Sequence, residues 1–112
     1  MEKEFSRKPY ITSEEFEKSR AQIYDYSLKT FGFLQAERYW TKIQKSLDML
    51  PYRYLVHPEC RHIPTKSQMY RNIVLDSHLI IYQITDLRVE VLDIVPSASS
   101  VSKIRGARRV CV

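Results

Sequence analysis

The stretch that decides the fold is AERYWTKIQKSLDML, residues 36–50. Its apolar side chains recur in steps of four, three, four and three residues, at Ala36, Trp40, Ile43, Leu47 and Leu50. This spacing places all of them on one side of an α-helix, so the stretch predicts an amphipathic helix with one continuous apolar stripe. Pro51 follows directly and is expected to end the helix.

An earlier helix is predicted over residues 13–31. Thr12 and Glu15 have the spacing of a capping box, which places the helix start between them. Apolar residues then recur at helical spacing, at Phe16, Ile23, Tyr24, Leu28 and Phe31. Gly32 follows, at the position where a left-handed C-terminal cap is expected. The two helices therefore predict an antiparallel helical hairpin, and its apolar stripe is expected to pack on a sheet.

The rest of the chain reads as strands. A first strand is predicted around residues 5–12, where Pro9 confines it to a sheet edge or a strand start. After a loop, the later strands are predicted at residues 60–64, 69–75, 79–84 and 89–95. The run 79–84, LIIYQI, is nearly all apolar, as expected for a central strand covered on both faces. The short connections predict antiparallel neighbours.

Together these elements predict an α+β fold, with an N-terminal helical hairpin packed on a small, mainly antiparallel β-sheet. With 112 residues, the chain is expected to form one domain, over residues 1–96, followed by a basic C-terminal tail over residues 97–112. Residues 1–93 hold 14 Lys and Arg against 13 Asp and Glu. The remaining cations stand in a segment without any acidic residue, and they are Lys103, Arg105, Arg108 and Arg109. Such a tail is suited to an acidic protein, nucleic acid or a membrane surface, unless it is only a solvated terminus.

Two cysteines, Cys60 and Cys111, do not form a disulfide framework. The chain opens with no signal-peptide pattern, and no apolar run approaches the length of a membrane span. We therefore expect a cytoplasmic protein with reduced thiols and no membrane partner.

One cluster combines residue types that bind zinc. His57, Cys60 and His62 lie within six residues, but their spacing matches no standard zinc motif and a fourth ligand is not evident. The cluster is either a metal site or an exposed polar loop. We expect no metal and no cofactor.

Three further residues are candidates for chemistry on a phosphate. Arg61 and Arg71 lie in the strand region, and an arginine beside tyrosines on a sheet binds phosphates or stacks on bases. Arg71 equally fits an edge strand kept soluble by its charge. His78 opens the central strand and is either a general base or a structural hydrogen-bonding residue. Taken alone, these residues predict a small binding domain without evident catalytic machinery.

Two parts of the sequence resemble the RelE/ParE toxin superfamily of type II toxin–antitoxin systems. The first is IYDYSLKTFGFLQAERY, residues 23–39. The second is the series YRNI, SHLIIYQI and VEVLDI, at residues 70–73, 77–84 and 89–94. The resemblance spans roughly residues 10–95 and implies the α+β fold predicted above.

The resemblance also implies a partner. Toxins of this superfamily are neutralised by a cognate antitoxin that wraps around the toxin and covers its helices or groove. We expect apolar surface of the hairpin to form that interface, with Tyr24, Tyr39 and Tyr52 as anchors. Either a homodimer or a toxin–antitoxin hetero-oligomer is compatible with the sequence.

The superfamily has two branches with different targets. The RelE branch cleaves mRNA on the ribosome, and in that case Arg61, Arg71 and His78 are the candidate catalytic residues. The ParE branch inhibits DNA gyrase and is not a nuclease. The stretches FGFLQAERY and HLIIY look more like ParE, and residues 96–100, PSASS, lack the basic or histidine residues that RelE-like chains place after the last strand.

We therefore predict a ParE-like inhibitor of DNA gyrase. ParE-like chains commonly end the last strand with Leu-His, a basic residue and Met-Asp, whereas this chain has Ile94-Val95-Pro96-Ser97. The basic stretch 103–109 is the candidate replacement for that segment and for its contact with the target. The alternatives are a RelE-like mRNA endonuclease and a degenerate toxin that acts only as an antitoxin-binding partner.

Overall fold

A computed structural model describes residues 7–112 and contains one sheet of four strands with helices on both faces. The elements are, in chain order, β1 (Tyr10–Thr12), α1 (Glu14–Phe31), α2 (Phe33–Arg53), β2 (Tyr70–Val74), β3 (His78–Ile84), β4 (Val89–Pro96) and α3 (Val101–Gly106). A short 3₁₀ turn, Ala107–Arg109, follows α3. The predicted α+β fold with its helical hairpin is confirmed.

The sheet has the order β1-β4-β3-β2. β1 runs parallel to β4, and the other neighbouring strands are antiparallel. β1 is an edge strand as predicted, but it begins only at Tyr10, directly after Pro9, so the prediction is wrong for residues 7–9. Residues 5 and 6 of the predicted strand lie outside the described part of the chain. Three consecutive residues of β3 are fully buried, at Ile80, Ile81 and Tyr82, which confirms a central strand covered on both faces.

Gly32 separates the two helices as predicted. Its φ of +95° lies in a region that residues with a Cβ rarely adopt. Its N–H donates to the carbonyl of Leu28, and its own carbonyl accepts from the N–H of Ala36, both at 3.1 Å. One residue therefore closes α1 and opens α2, which lets the chain reverse direction without a longer loop.

The start of α1 differs from the prediction, because Ser13 and not Thr12 is the N-cap. The Ser13 hydroxyl accepts from the Phe16 N–H at 2.9 Å and donates to the Leu92 carbonyl at 2.6 Å. Leu92 is the extra residue of a β-bulge in β4, since Ile81 pairs with Asp93 and Tyr82 with Val91. The Ser13 side chain therefore connects the start of α1 to the β-bulge in β4. The spacing of residues along the chain cannot reveal such a long-range contact.

α2 carries the predicted apolar stripe, since Ile43, Leu47 and Leu50 are buried in the core cluster with strand residues. Ala36 is also buried, but it lies beside residues of α1. Trp40 is only half-buried. The predicted end at Pro51 is wrong, because α2 continues to Arg53 with Pro51 inside its last turn. A proline removes one backbone donor, and near a helix end the remaining residues still complete the turn.

The predicted stripe of α1 is correct only in its first half. Phe16 is fully buried and Ile23 packs against the core, whereas Leu28 and Phe31 are exposed. The hairpin is longer than the sheet face that it covers, so its far end contributes nothing to the core.

The second face of the sheet is covered by the loop after α2 and by α3. The predicted strand at residues 60–64 is wrong, since only an isolated bridge joins Glu59 to Arg71. The possibility of a solvated terminus is also wrong for residues 101–109. Buried residues of the loop and of the C-terminal segment form a common cluster on the sheet, including Cys60, Ile63, Ile104 and Ala107. Ser100, the last residue of the stretch PSASS at residues 96–100, caps α3, because its hydroxyl accepts from the Lys103 N–H.

Candidate functional site

A groove of about 800 Å³ lies between α1, the first turns of α2 and the ends of β3 and β4. It forms because the hairpin extends beyond the sheet, so the part of α1 after Ser19 faces strand ends instead of a covered surface. The rim includes the aromatic residues Tyr26 and Phe31, and polar side chains stand among the residues that line it, including Ser19, Gln22, Gln35, His78, Asp93 and Lys103. A surface of this size, with an apolar rim and a few polar groups, suits a segment of another protein.

His78 and Tyr39 form the polar centre of the groove. The Tyr39 hydroxyl lies 2.7 Å from His78 Nδ1, and the two ring centres are 5.4 Å apart. Burial lowers the pKa of His78 and raises the pKa of Tyr39. Both side chains are therefore neutral near pH 7, and the pair offers hydrogen bonds to a partner rather than charge.

Asp93 marks the other end of the groove. Its carboxylate accepts from the Ser19 hydroxyl at 2.7 Å and from the Ile94 N–H at 2.8 Å. Burial raises the pKa of Asp93 above its usual value, although the hydrogen bonds from Ser19 and Ile94 and the charge of nearby Lys103 oppose this shift in part. A carboxylate held by fixed donors and an exposed lysine give this end of the groove mixed charge.

The tip of the hairpin carries an exposed apolar patch, which we call the hairpin tip. It consists of Tyr26, Phe31, Phe33 and Leu34, with exposed fractions between 61 and 70%. Tyr26 and Phe31 contact each other edge to face, with ring centres 6.4 Å apart. Large apolar side chains exposed side by side are typical of interaction sites. These four residues were not predicted as an interaction site, although the aromatic residues on both sides of the turn glycine were a usable signal.

The three tyrosines predicted as anchors have different environments. Tyr24 is half-buried, donates to Glu37 and packs edge to face on Trp40. Tyr39 is half-buried beside His78 in the groove. Tyr52 is exposed at the end of α2, where Arg7 Nε donates to its hydroxyl at 3.1 Å. The structure thus brings only Tyr39 to the groove.

The four predicted target-binding cations are all exposed on α3 and the 3₁₀ turn after it. They point to two different surfaces. Lys103 lines the groove beside Asp93, whereas Arg105 Nε donates to the His62 carbonyl on the far side of the sheet. Arg108 and Arg109 follow Arg105 in the 3₁₀ turn.

The candidate ribonuclease residues do not converge. The Arg71 guanidinium donates to three backbone carbonyls, those of Leu55, His57 and Gln68, and so holds the loop after α2. Arg71 pairs with Tyr82, four residues from His78 along β3, which is about 13 Å at the strand rise of about 3.3 Å per residue. Arg61 is exposed on the loop that covers the other face of the sheet.

The cluster His57, Cys60 and His62 is dispersed in the same way. Cys60 is buried in the core between the loop and α3, and burial raises the pKa of its thiol. The His57 ring lies against Tyr82, with 6.3 Å between ring centres. Within residues 7–112 no three His, Cys, Asp or Glu side chains are placed to hold a metal ion. None of the described helices is long and apolar enough to cross a membrane.

Comparison with known proteins shows which protein family the chain belongs to. The family described as "ParE toxin of type II toxin-antitoxin system, parDE" matches residues 10–100, which is most of the chain. The chain therefore belongs to the ParE toxin family, the branch that the sequence favoured.

A solved structure described as "Chromosomal ParDE TA system from P. aeruginosa" has a similar fold. The TM-score is 0.66 at 13% sequence identity, over 80% of this chain and 96% of that chain. At this identity the likeness concerns the fold alone. A comparison with curated proteins returns no significant match.

Proposed function

We propose that this protein is the toxin of a type II toxin–antitoxin pair and inhibits DNA gyrase. The observation that carries the proposal is membership of the ParE toxin family over residues 10–100. The dispersal of Arg61, Arg71 and His78 supports it against the mRNA endonuclease alternative, because phosphodiester cleavage needs such groups around one phosphate.

Within this proposal, a cognate antitoxin occupies the groove and the hairpin tip. Both lie on the same end of the molecule, since Tyr26 and Phe31 belong to both. The antitoxin contributes apolar side chains against these rings and hydrogen bonds to the pair of Tyr39 and His78. The solved ParDE system of similar fold is itself described as a toxin–antitoxin system, which supports a protein partner.

The target is contacted by a different surface, which carries the exposed Arg105, Arg108 and Arg109 of α3 and of the turn after it, whereas Lys103 lies in the groove. These side chains lie mainly on the other side of the sheet from the hairpin, because α3 packs in the cluster with Cys60 and Ile63. Because the antitoxin and the target bind separate surfaces, the antitoxin does not act by direct competition alone. It silences the toxin by changing the toxin's conformation, by occluding the target-binding surface or by sequestering the toxin.

The experiment is inducible expression of the chain in a bacterium, without its neighbouring open reading frames. Growth, chromosomal DNA damage and total protein synthesis are read together. Growth arrest with DNA damage is expected. Arrest of protein synthesis with intact DNA contradicts the gyrase target and favours mRNA cleavage, whereas absence of arrest favours a degenerate toxin.

A variant pair tests the antitoxin surface. Phe33→Ser removes an aromatic ring of the hairpin tip, and Leu87→Ser removes an even more exposed apolar side chain on the turn between β3 and β4. With the product of the adjacent open reading frame co-expressed, the Phe33 variant is expected to escape neutralisation, and the Leu87 variant is not. Equal rescue of both variants contradicts the assigned surface.

A further inference from the structure

Positive charge is concentrated in two separate parts of the chain. Residues 60–75 contain Arg61, Lys66 and Arg71, and residues 94–112 contain four Lys and Arg. Neither segment contains a single Asp or Glu, so together they carry seven positive charges. The other residues hold eleven Lys and Arg against thirteen Asp and Glu, which makes the rest of the protein slightly negative.

The fold brings these two segments together on one face of the sheet. Their apolar residues pack in a common core, where Cys60 and Ile63 come from the first segment and Ile104 and Ala107 from the second. Arg105 Nε also donates to the His62 carbonyl at 3.2 Å, which joins α3 directly to the loop. With the apolar side chains turned inward, the charged ones are left on the outer surface.

This outer surface, which we call the basic face, carries five exposed cations. They are Arg61, Lys66, Arg105, Arg108 and Arg109. None of them forms an ion pair with a described carboxylate; the ion pairs recorded for residues 7–112 involve Arg20, Lys29, Lys42 and Arg88. Glu59, at the start of the loop, is half-buried and accepts from the Thr65 N–H. Within residues 7–112, the charge of the basic face is therefore not compensated by a neighbouring carboxylate.

The apolar content of the basic face distinguishes between possible partners. Across residues 60–75 and 94–112, all of them described, the exposed large apolar side chains are three valines, Val74, Val101 and Val112, and none is aromatic. A protein interface is usually anchored by large aromatic side chains, with valine under-represented among its hot spots, and single-stranded nucleic acid is bound by aromatic rings that stack on bases. A surface with cations and without such anchors instead fits regularly spaced phosphates, which duplex nucleic acid presents independently of sequence.

We propose that the basic face binds the phosphate backbone of duplex DNA. The inference rests on the proposed function in one respect, since the duplex concerned is the DNA that gyrase holds. The cations that contact the target are thereby directed to the DNA of the enzyme–DNA complex. Arginine is prominent among the five cations, and its planar fork suits phosphate oxygens.

Salt dependence gives the expected size of the effect. Each neutralised phosphate contributes about −0.9 to the slope of log affinity against log salt concentration. Raising salt from about 50 to about 200 mM then weakens binding about 40-fold for three phosphate contacts and about 500-fold for five.

The test measures binding of the purified chain to a fluorescent duplex of about 30 base pairs by anisotropy at several KCl concentrations. The triple variant Arg105→Ala, Arg108→Ala and Arg109→Ala is compared with Lys18→Ala, Arg38→Ala and Lys45→Ala, which removes three exposed cations from the hairpin. We expect the first variant to bind at least about tenfold more weakly, with a slope reduced by about 2.7. The hairpin variant is expected to keep most of the affinity and slope.

A second variant protects the test against misfolding. Arg61→Ala with Lys66→Ala changes only the loop, leaves α3 and its bond to His62 intact, and is expected to reduce the slope by about 1.8. Circular dichroism confirms folding of every variant. Binding of the wild-type chain that ignores salt, equal binding by basic-face and hairpin variants, or tighter binding to a polyglutamate peptide or single-stranded DNA than to the duplex overturns the inference.

The failure of this inference and of the gyrase proposal are distinguishable. Inhibition of gyrase by a chain that does not bind the duplex overturns DNA binding and leaves the proposed function standing. Salt-dependent binding of the duplex without any effect on gyrase supports the basic face as a DNA-binding surface and contradicts the gyrase target.

Discussion

Replacement of Ser13 by alanine is expected to destabilise the protein far more than loss of a surface hydroxyl. Ser13 is 2% exposed, and its hydroxyl both caps α1 through the Phe16 N–H and donates to the Leu92 carbonyl at the β-bulge. The Ser13→Ala variant loses both bonds at once. It leaves the carbonyl at the bulge without this donor in a site that water does not reach.

Two contributions set the magnitude. Loss of an N-cap side chain costs about 1 kcal/mol, and a buried acceptor left without its donor costs about 1–3 kcal/mol. The free energy of unfolding is therefore expected to fall by about 2–4 kcal/mol. Since domains have a total stability of about 5–15 kcal/mol, this loss is a large part of the whole.

Urea unfolding followed by circular dichroism measures this loss, with Ser100→Ala as the matched control. Ser100 caps α3 through the Lys103 N–H but is exposed, so its removal is expected to cost about 0.5–1 kcal/mol. A loss for Ser13→Ala that equals the loss for Ser100→Ala refutes the account of the buried cap. Equal urea m-values in all variants are required for the comparison.

Three further predictions concern the turn glycine Gly32, the loop-holding Arg71, and the pair His57 and His78. Gly32→Ala is expected to lower the free energy of unfolding by about 1–3 kcal/mol through backbone strain at the positive φ alone, because a Cβ there meets no atom within 4 Å. Gly106→Ala is the control, since Gly106 has a φ of −60°, and it is expected to be neutral or stabilising in the same thermal unfolding assay. Arg71→Ala and Arg71→Lys are both expected to lower the free energy of unfolding by about 1–3 kcal/mol, because neither replacement reaches all three carbonyls that Arg71 bonds. An Arg71→Lys variant as stable as the wild type contradicts the role of Arg71 in holding the loop after α2. Burial lowers the pKa values of His57 and His78, so the unfolded chain binds more protons, and the free energy of unfolding is expected to fall as pH drops below about 6.5. The double variant His57→Gln, His78→Gln is expected to weaken this pH dependence in urea titrations at about pH 5.5 and 7.5. An unchanged dependence on pH contradicts the prediction.

The hairpin and the three main strands were predictable because their information is local. The stripe from Ala36 to Leu50 repeats at helical spacing, and residues 79–84 form an apolar run of strand length. Such periodicity reports which side of an element is buried without any knowledge of its neighbours. The family resemblance used the same two regions, so it agreed with the local patterns.

The elements that were missed depend on contacts between distant residues. α3 has only six residues and two buried apolar side chains near it, Ile104 and Ala107, so it has too few repeats to be recognised. Its packing requires the loop residues Cys60 and Ile63, which lie more than forty positions before Ile104 in sequence. The same limit applies to the Ser13 cap, whose second partner lies in β4.

The candidate site was predictable in part for a similar reason. Tyr24 and Tyr39 were selected by residue type, but the partners that bury them, Glu37 and His78, are known only from the folded chain. The exposure of Phe31 and Phe33 depends on the length of the hairpin relative to the sheet. The cations at positions 103–109 were found from charge alone, whereas their union with Arg61 and Lys66 required the fold.

The most direct test of the central claim is the supercoiling of relaxed plasmid DNA by purified gyrase in the presence of the purified chain. The chain is added over a range of concentrations, with the product of the adjacent open reading frame as the neutralising control. We predict dose-dependent loss of supercoiling that the antitoxin restores, with accumulation of cleaved DNA. Unchanged supercoiling at a large excess of the folded chain contradicts the claim.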